Sequence, residues 1–268
     1  MGVLLLPLVA VLYAIGVRRL QANGHRWPAA RTLAFSAGLA ALALATLPPL
    51  GPAEVERFSA HVLQHVLLGM VAPLALALGA PVTLALRASG RPVRRRLLRL
   101  LHSRPVALLT HPVVGWVLFG GTLFALYFSP LFGLSLRSRL VHEVLHLHFL
   151  AAGCLFVVPL VGLDPVRPRL SHGARLLAVL LAVPLHAFLG MALLQSERIL
   201  GGGGWSLADQ HLGAGLLWAT GDLLAGIAAV VIFFQWVASD ERQATRLDRR
   251  GAAVGAGAAR EGQQSPAS

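Results

Sequence analysis

Seven stretches of this chain, at roughly residues 3–17, 30–50, 59–86, 111–130, 140–162, 173–195 and 207–237, are apolar over lengths suited to a lipid bilayer. An α-helix rises 1.5 Å per residue, so a span takes about 20 apolar residues; the first stretch is short of that. Hydrophobic residues make up 56% of the chain and charged ones 13%, about half the charged share of a soluble domain. The expected fold is therefore an all-α membrane protein, a seven-transmembrane helix bundle over residues 1–242. Residues 3–17 lack a charged region ahead of the apolar run and a small-residue cleavage site. They are expected to be a retained span rather than a signal peptide. Pro73, Pro159 and Pro184 fall inside spans, where bundle packing must accommodate the carbonyls they free. Residues 243–268 drift to Gly, Ala, Gln and Ser and are expected to form a disordered cytoplasmic tail.

The arginines set the orientation. All 23 basic residues are Arg, and the formal net charge is +12. Nineteen of them fall in the first, third and fifth loops and after the last span; only Arg57, Arg137, Arg139 and Arg198 lie in the alternate loops. Cytoplasmic loops collect arginine, which places the N-terminus outside and the C-terminus in the cytoplasm. In a polytopic protein such an excess reports cytoplasmic loops and anionic lipid, so no nucleic-acid partner is expected. Arg91, Arg94, Arg95, Arg96, Arg99 and Arg104 are interleaved with Leu97, Leu98, Leu100 and Leu101. That pattern suits a helix lying on the inner leaflet with its arginines among anionic headgroups.

Six histidines, His61, His65, His142, His146, His186 and His211, lie inside spans. Ionisable side chains in a bilayer are costly and by default mark function. His61/His65 and His142/His146 are each four residues apart, so each pair shares a helix face and can present two imidazoles to one ion. With the orientation above, all six fall in the outer half of the membrane, His186 deepest at roughly 14 Å below the end of its span. One histidine near a helix end is ordinarily an interhelical hydrogen-bond donor. Two pairs plus two more at similar depth point to a shared metal site, imidazole being the commonest protein ligand. His148 lies about 240° round its helix from His142 and is expected to look elsewhere.

Other polar residues flank this set. Asp209 and Gln210 sit at the outer mouth of the last span. His211, Gly215, Trp218 and Asp222 share one face of it, with Asp222 about 16 Å deeper than His211. A carboxylate there is neutral or partnered, as a proton relay or as a hydrogen-bond anchor. Met70 and Met191 would favour Cu(I) through soft thioethers. Each is about 140° round its helix from the nearest histidine, which leaves an imidazole site suited to copper or zinc. The run His142-Glu143-Val144-Leu145-His146 also matches H-E-x-x-H, in which two histidines hold zinc and the glutamate activates water. No third ligand follows at a fixed spacing.

Five stretches in order carry a family resemblance: HVLQHVLLGMVAPLALALGAPVTLALR (61–87), HEVLHLHFLAAGCLFVVPLVGLDPVRPRL (142–170), PLHAFLGMAL (184–193), DQHLGAGLLWATGDL (209–223) and WVASDER (236–242). Together they resemble the polytopic CtaG-type cytochrome c oxidase assembly factors, over about residues 30–242. The resemblance implies a protein of the bacterial plasma membrane that assists maturation of haem–copper oxidases, with copper delivery to the catalytic centre as its usual proposed role. It carries over to His61, His65, His142, His146, His186 and Asp209 as the polar positions of the family, and less directly to His211.

The expected function is then that of an assembly factor, not an enzyme. It would bind copper through outer histidines and pass it to a haem–copper oxidase subunit. Three alternatives stand beside it: a bis-histidine haem cytochrome, an intramembrane zinc protease using Glu143, and a metal-free scaffold for an oxidase subunit.

Overall fold

A computed structural model describes residues 2–48, 50, 56–167 and 169–263, and among them there is no strand. In chain order the helices are α1 (Gly2–Ala22), α2 (Ala29–Thr46), α3 (Phe58–Val66), α4 (Ala72–Leu78), α5 (Pro81–Ala88), α6 (Arg91–Leu101), α7 (Arg104–Leu109), α8 (Pro112–Tyr127), α9 (Leu131–Arg137), α10 (Arg139–Val161), α11 (His172–Leu194) and α12 (Leu207–Gln263). A π turn, Leu67–Val71, joins α3 to α4. Six helical runs are long and apolar enough to cross a membrane; α8 and α9, bent by 76°, make a seventh if they count as one span. The fourth expected span, 111–130, corresponds to α8, whose 16 residues reach membrane length only together with α9 beyond the bend. Its helix stops before Pro130, whose ring cannot continue an α-helical ladder. Many of the exposed side chains on the spans are themselves apolar, Phe188 and Phe234 among them, as a hydrocarbon surround allows.

The third span shows how proline shapes the bundle. Inside a helix, a proline ring clashes with the carbonyl four residues earlier. For Pro73 that carbonyl belongs to Gly69, within the wide π turn. The freed Gly69 oxygen faces Gly153 on α10, where an added Cβ would lie 2.1 Å from it. The same device recurs one layer on. Pro159 displaces the Leu155 carbonyl, which faces Gly115 on α8, 3.0 Å from where a Cβ would stand. Small residues let backbones approach this closely in a membrane, where packing rather than water exclusion holds helices together.

Further along, the third span breaks again. Ala80 is left-handed, at φ 47°, between the end of α4 and Pro81. Tyr13 of α1 donates its hydroxyl to the Gly79 carbonyl at 2.9 Å, and the Trp27 indole donates to Tyr13 at 3.1 Å. Beyond the break, the Asp164 carboxylate accepts the Thr83 and Val82 backbone N–H groups, at 2.7 and 3.4 Å. A carboxylate on the orphan donors of a helix start is favourable. Burial nonetheless raises the Asp164 pKa above the ordinary carboxylate value, against the lowering effect of those hydrogen bonds. Arg175, itself buried, donates to the Leu160 and Val161 carbonyls, closing the end of α10 as cationic caps do.

Past the last span, α12 runs on to Gln263. Glu241, Arg242, Gln243 and Ala244 are all strong helix formers and propagate a helix already nucleated in the span. Residues 264–268 lie outside the described residues.

Candidate metal centre

His61 and His65 sit on α3 just before the π turn, and His142 and His146 on the first turns of α10. The Gly69–Gly153 approach lies beyond them on both helical runs. It pins the two helices together where the four imidazoles must meet. His61 and His65 are almost wholly buried, at 0% and 5% exposure. Ring centroids lie 4.2 Å apart within each pair. Between helices they lie 5.5 Å apart for His61–His142, 6.3 Å for His65–His142 and 5.5 Å for His65–His146.

His61, His65 and His142 each offer a ring nitrogen within 4.8 Å of the other two. Metal–imidazole bonds of 2.0–2.1 Å put neighbouring ligand nitrogens about 3.4 Å apart in a tetrahedral shell. An ion would have to draw the nitrogens together by up to about 1.4 Å from the 4.8 Å limit. Both nitrogens of His61 and both of His65 are buried with no hydrogen-bond partner. Leaving such groups unmade in an apolar interior costs roughly 1–3 kcal/mol each. This donor set fits a metal ion: three imidazole nitrogens converge, and those of His61 and His65 have no competing protein partner.

The walls are aromatic. Phe132 of α9 meets the His61 ring edge-on at 5.1 Å, and Phe149 lies 4.5 Å from His65. The 76° bend after α8 is what carries Phe132 there. Phe58, Phe132 and Trp205 pack on one another at 5.6–5.9 Å. His142 and His146 are half-buried, which leaves the α10 side as the more open one.

The other expected site residues take different positions. His186 is buried on α11, its Nδ1 donating to the Ala182 carbonyl at 2.9 Å. It packs so closely on α12 that a Cβ at Gly221 would lie 2.6 Å from its ring. It lines a cavity of about 50 Å³ that Met70, Phe119 and Phe156 also line. Met70, in the π turn, thus shares a cavity wall with His186. His211 donates Nε2 to the Ser196 carbonyl at 3.1 Å. The six-histidine convergence expected from depth alone therefore resolves into one cluster on α3 and α10, with His186 and His211 apart from it.

The accessory residues also separate by role. Asp209 accepts from the Ser59 hydroxyl at 2.5 Å and the Ser59 N–H at 3.3 Å, fixing the first turn of α3 two residues before His61. Gln210, fully buried, accepts from Leu200 N–H and donates to the Arg198 carbonyl, holding the loop that carries Trp205. Asp222 has one carboxylate oxygen buried without a partner. Glu143 is exposed and stands outside the three-histidine group, so it is not placed to activate a water on that group. His148 pairs with the Thr122 hydroxyl at 2.7 Å, away from the cluster as its helical phase requires. Gln64, buried between His61 and His65 with its amide donating to the Ala45 carbonyl, was not singled out from the sequence. Its signal was simply an amide inside a span.

An uncharacterized protein of Mycobacterium bovis is 36% identical over 258 residues, covering 90% of this chain and 39% of the relative. One from Mycobacterium tuberculosis matches with the same figures, and one from Mycobacterium leprae is 34% identical over 254 residues, 88% of this chain and 38% of the relative. The chain thus spans about two fifths of the length of these relatives. No solved structure matches it. The model of one family, described as cytochrome c oxidase caa3 assembly factor, matches residues 11–239. The bundle that holds the histidine cluster is that matched region, and the chain belongs to the cytochrome c oxidase caa3 assembly factor family.

Proposed function

We propose that this protein binds copper at His61, His65 and His142, with His146 as a neighbouring acceptor, and delivers it to a haem–copper oxidase subunit during assembly. One observation carries the reading: three imidazole nitrogens from two helices lie within 4.8 Å of one another in an apolar shell. The donor set bears on the metal. No carboxylate belongs to the group, so the ion keeps its full charge in low-dielectric surroundings. The cost of burying a charge grows with its square, which favours monovalent copper over divalent zinc. Delivery is ligand exchange: His142 and His146, on the half-buried side, release the ion stepwise to histidines of the recipient. No covalent turnover is involved.

The membrane is the bacterial plasma membrane, with the arginine-rich loops in the cytoplasm and the histidine cluster toward the outer face. The nineteen-to-four arginine asymmetry supports that orientation, and α3 and α10 both enter from the arginine-poor side. The zinc-protease reading loses support from the exposure of Glu143. A bis-histidine haem needs a flat slot between two rings, whereas these rings are in mutual contact and walled by Phe132 and Phe149.

Protein purified in detergent and loaded with Cu(I) is expected to retain about one equivalent through desalting and to show no Soret band. A Soret band, or copper that washes out completely, refutes the proposal. Asp209→Ala is expected to loosen the first turn of α3, worth about 1 kcal/mol as a lost cap. Copper affinity should fall roughly fivefold, which a competition titration with a Cu(I) chelator measures.

A further inference from the structure

At the end of the bundle opposite the histidines, a cleft of about 500 Å³ opens between α5, α6 and the loop that follows α10. That volume lies within the roughly 300–1,000 Å³ typical of small-ligand sites. Arg87 and Arg94 line it from one side, and Arg169 and His172 from the other. Among the described residues Asp164 is the one carboxylate on its wall, and its oxygens are turned onto the Thr83 and Val82 N–H groups. Arg175 also lines the cleft but is committed to the carbonyls of α10. Arg87 is steadied over the Trp27 ring, 6.0 Å from its centroid. Exposed Arg94 and Arg169 therefore face a common space with little negative charge to meet them.

We infer that this cleft is a binding site for the phosphate of an anionic phospholipid headgroup, clamped between Arg94 and Arg169. The shared chemistry is a phosphate oxyanion met by guanidinium groups from two sides, the geometry in which arginine binds phosphate most strongly. The choice of lipid over a soluble phosphate rests on the apolar part of the same wall. Leu86, Leu163 and Leu170 line the cleft with the arginines, at the mouth of membrane-length helices. Basic pockets between spans are a recurring way of holding such headgroups. This goes beyond a generally basic surface helix: Arg95, Arg96 and Arg99 on α6 carry as much charge yet do not line the cleft.

The site is independent of copper and is tested without it. The full chain is reconstituted in phosphatidylcholine nanodiscs doped with phosphatidylglycerol, and bound lipid is counted by native mass spectrometry after release into detergent. The wild-type chain is expected to retain phosphatidylglycerol, and Arg94→Gln/Arg169→Gln to lose it at least tenfold. Arg95→Gln/Arg99→Gln removes the same charge outside the cleft and should retain it. Equal loss in both double variants overturns the site in favour of diffuse surface attraction, and unchanged retention in Arg94→Gln/Arg169→Gln overturns it outright. Full displacement of the lipid by millimolar inorganic phosphate would assign the cleft to a soluble anion and overturn the lipid assignment. Gel-filtration profile and thermal unfolding of each variant in detergent serve as the folding control, so a collapsed protein is recognised as such.

Discussion

Gly153→Val is expected to unfold the bundle locally and abolish copper retention, although residue 153 touches no ligand. A Cβ there would sit 2.1 Å from the Gly69 oxygen and 2.8 Å from the Pro73 ring. The first is backbone in a π turn, with no rotamer by which to retreat. Overpacking of a close-packed interior usually costs 1–3 kcal/mol, and a backbone obstacle puts this case at about 3 kcal/mol or more. The consequence for the site is geometric. His146 precedes Gly153 by about 10 Å along α10, and His65 precedes Gly69 by about 6 Å along the third span. Prising the helices apart at the contact parts the imidazoles beside it. Thermal unfolding in detergent, read together with copper stoichiometry, checks both effects. Gly226→Ala is the control: a Cβ there meets nothing within 4 Å, so it should leave stability equal or up to about 1 kcal/mol higher through helix propensity.

The second large effect separates ligands from bystanders. His61→Ala/His65→Ala removes two of the three convergent nitrogens and should reduce bound copper to background. A lone imidazole holds copper far more weakly than a chelating set. His142→Ala should weaken binding at least tenfold, because it takes the only donor of the group supplied by α10. His211→Ala should leave stoichiometry unchanged, since that ring is spent on the Ser196 carbonyl. His186→Ala should do the same for copper while costing stability, through lost packing on Gly221 and Phe119. Inductively coupled plasma analysis of the purified variants reads all four. Full copper in His61→Ala/His65→Ala, or its loss in His211→Ala, would place the metal elsewhere.

The two i,i+4 histidine pairs were readable because helical periodicity and a 1.5 Å rise fix which side chains share a face and how deep they lie. The same arithmetic placed His186 and His211 with them, since depth was all it supplied. It set Met70 apart from His65 on an unbroken α-helical phase; the Leu67–Val71 π turn shifts that phase, and Met70 lines the cavity beside His186. The fourth span was bounded at about residue 130 by hydropathy alone. Nothing local indicated that the chain beyond it would fold back to lay Phe132 against His61.

Membrane-length segments, their arginine asymmetry and the depth of each polar group follow from the amino-acid order, because each depends on distance along one helix. Which imidazoles actually meet was decided only in three dimensions. Rotation of one helix about its axis relative to its neighbour is set by contacts between residues remote in sequence. Here the contact is the Gly69 carbonyl against Gly153, which turns α3 and α10 face to face and leaves His186 and His211 to other partners.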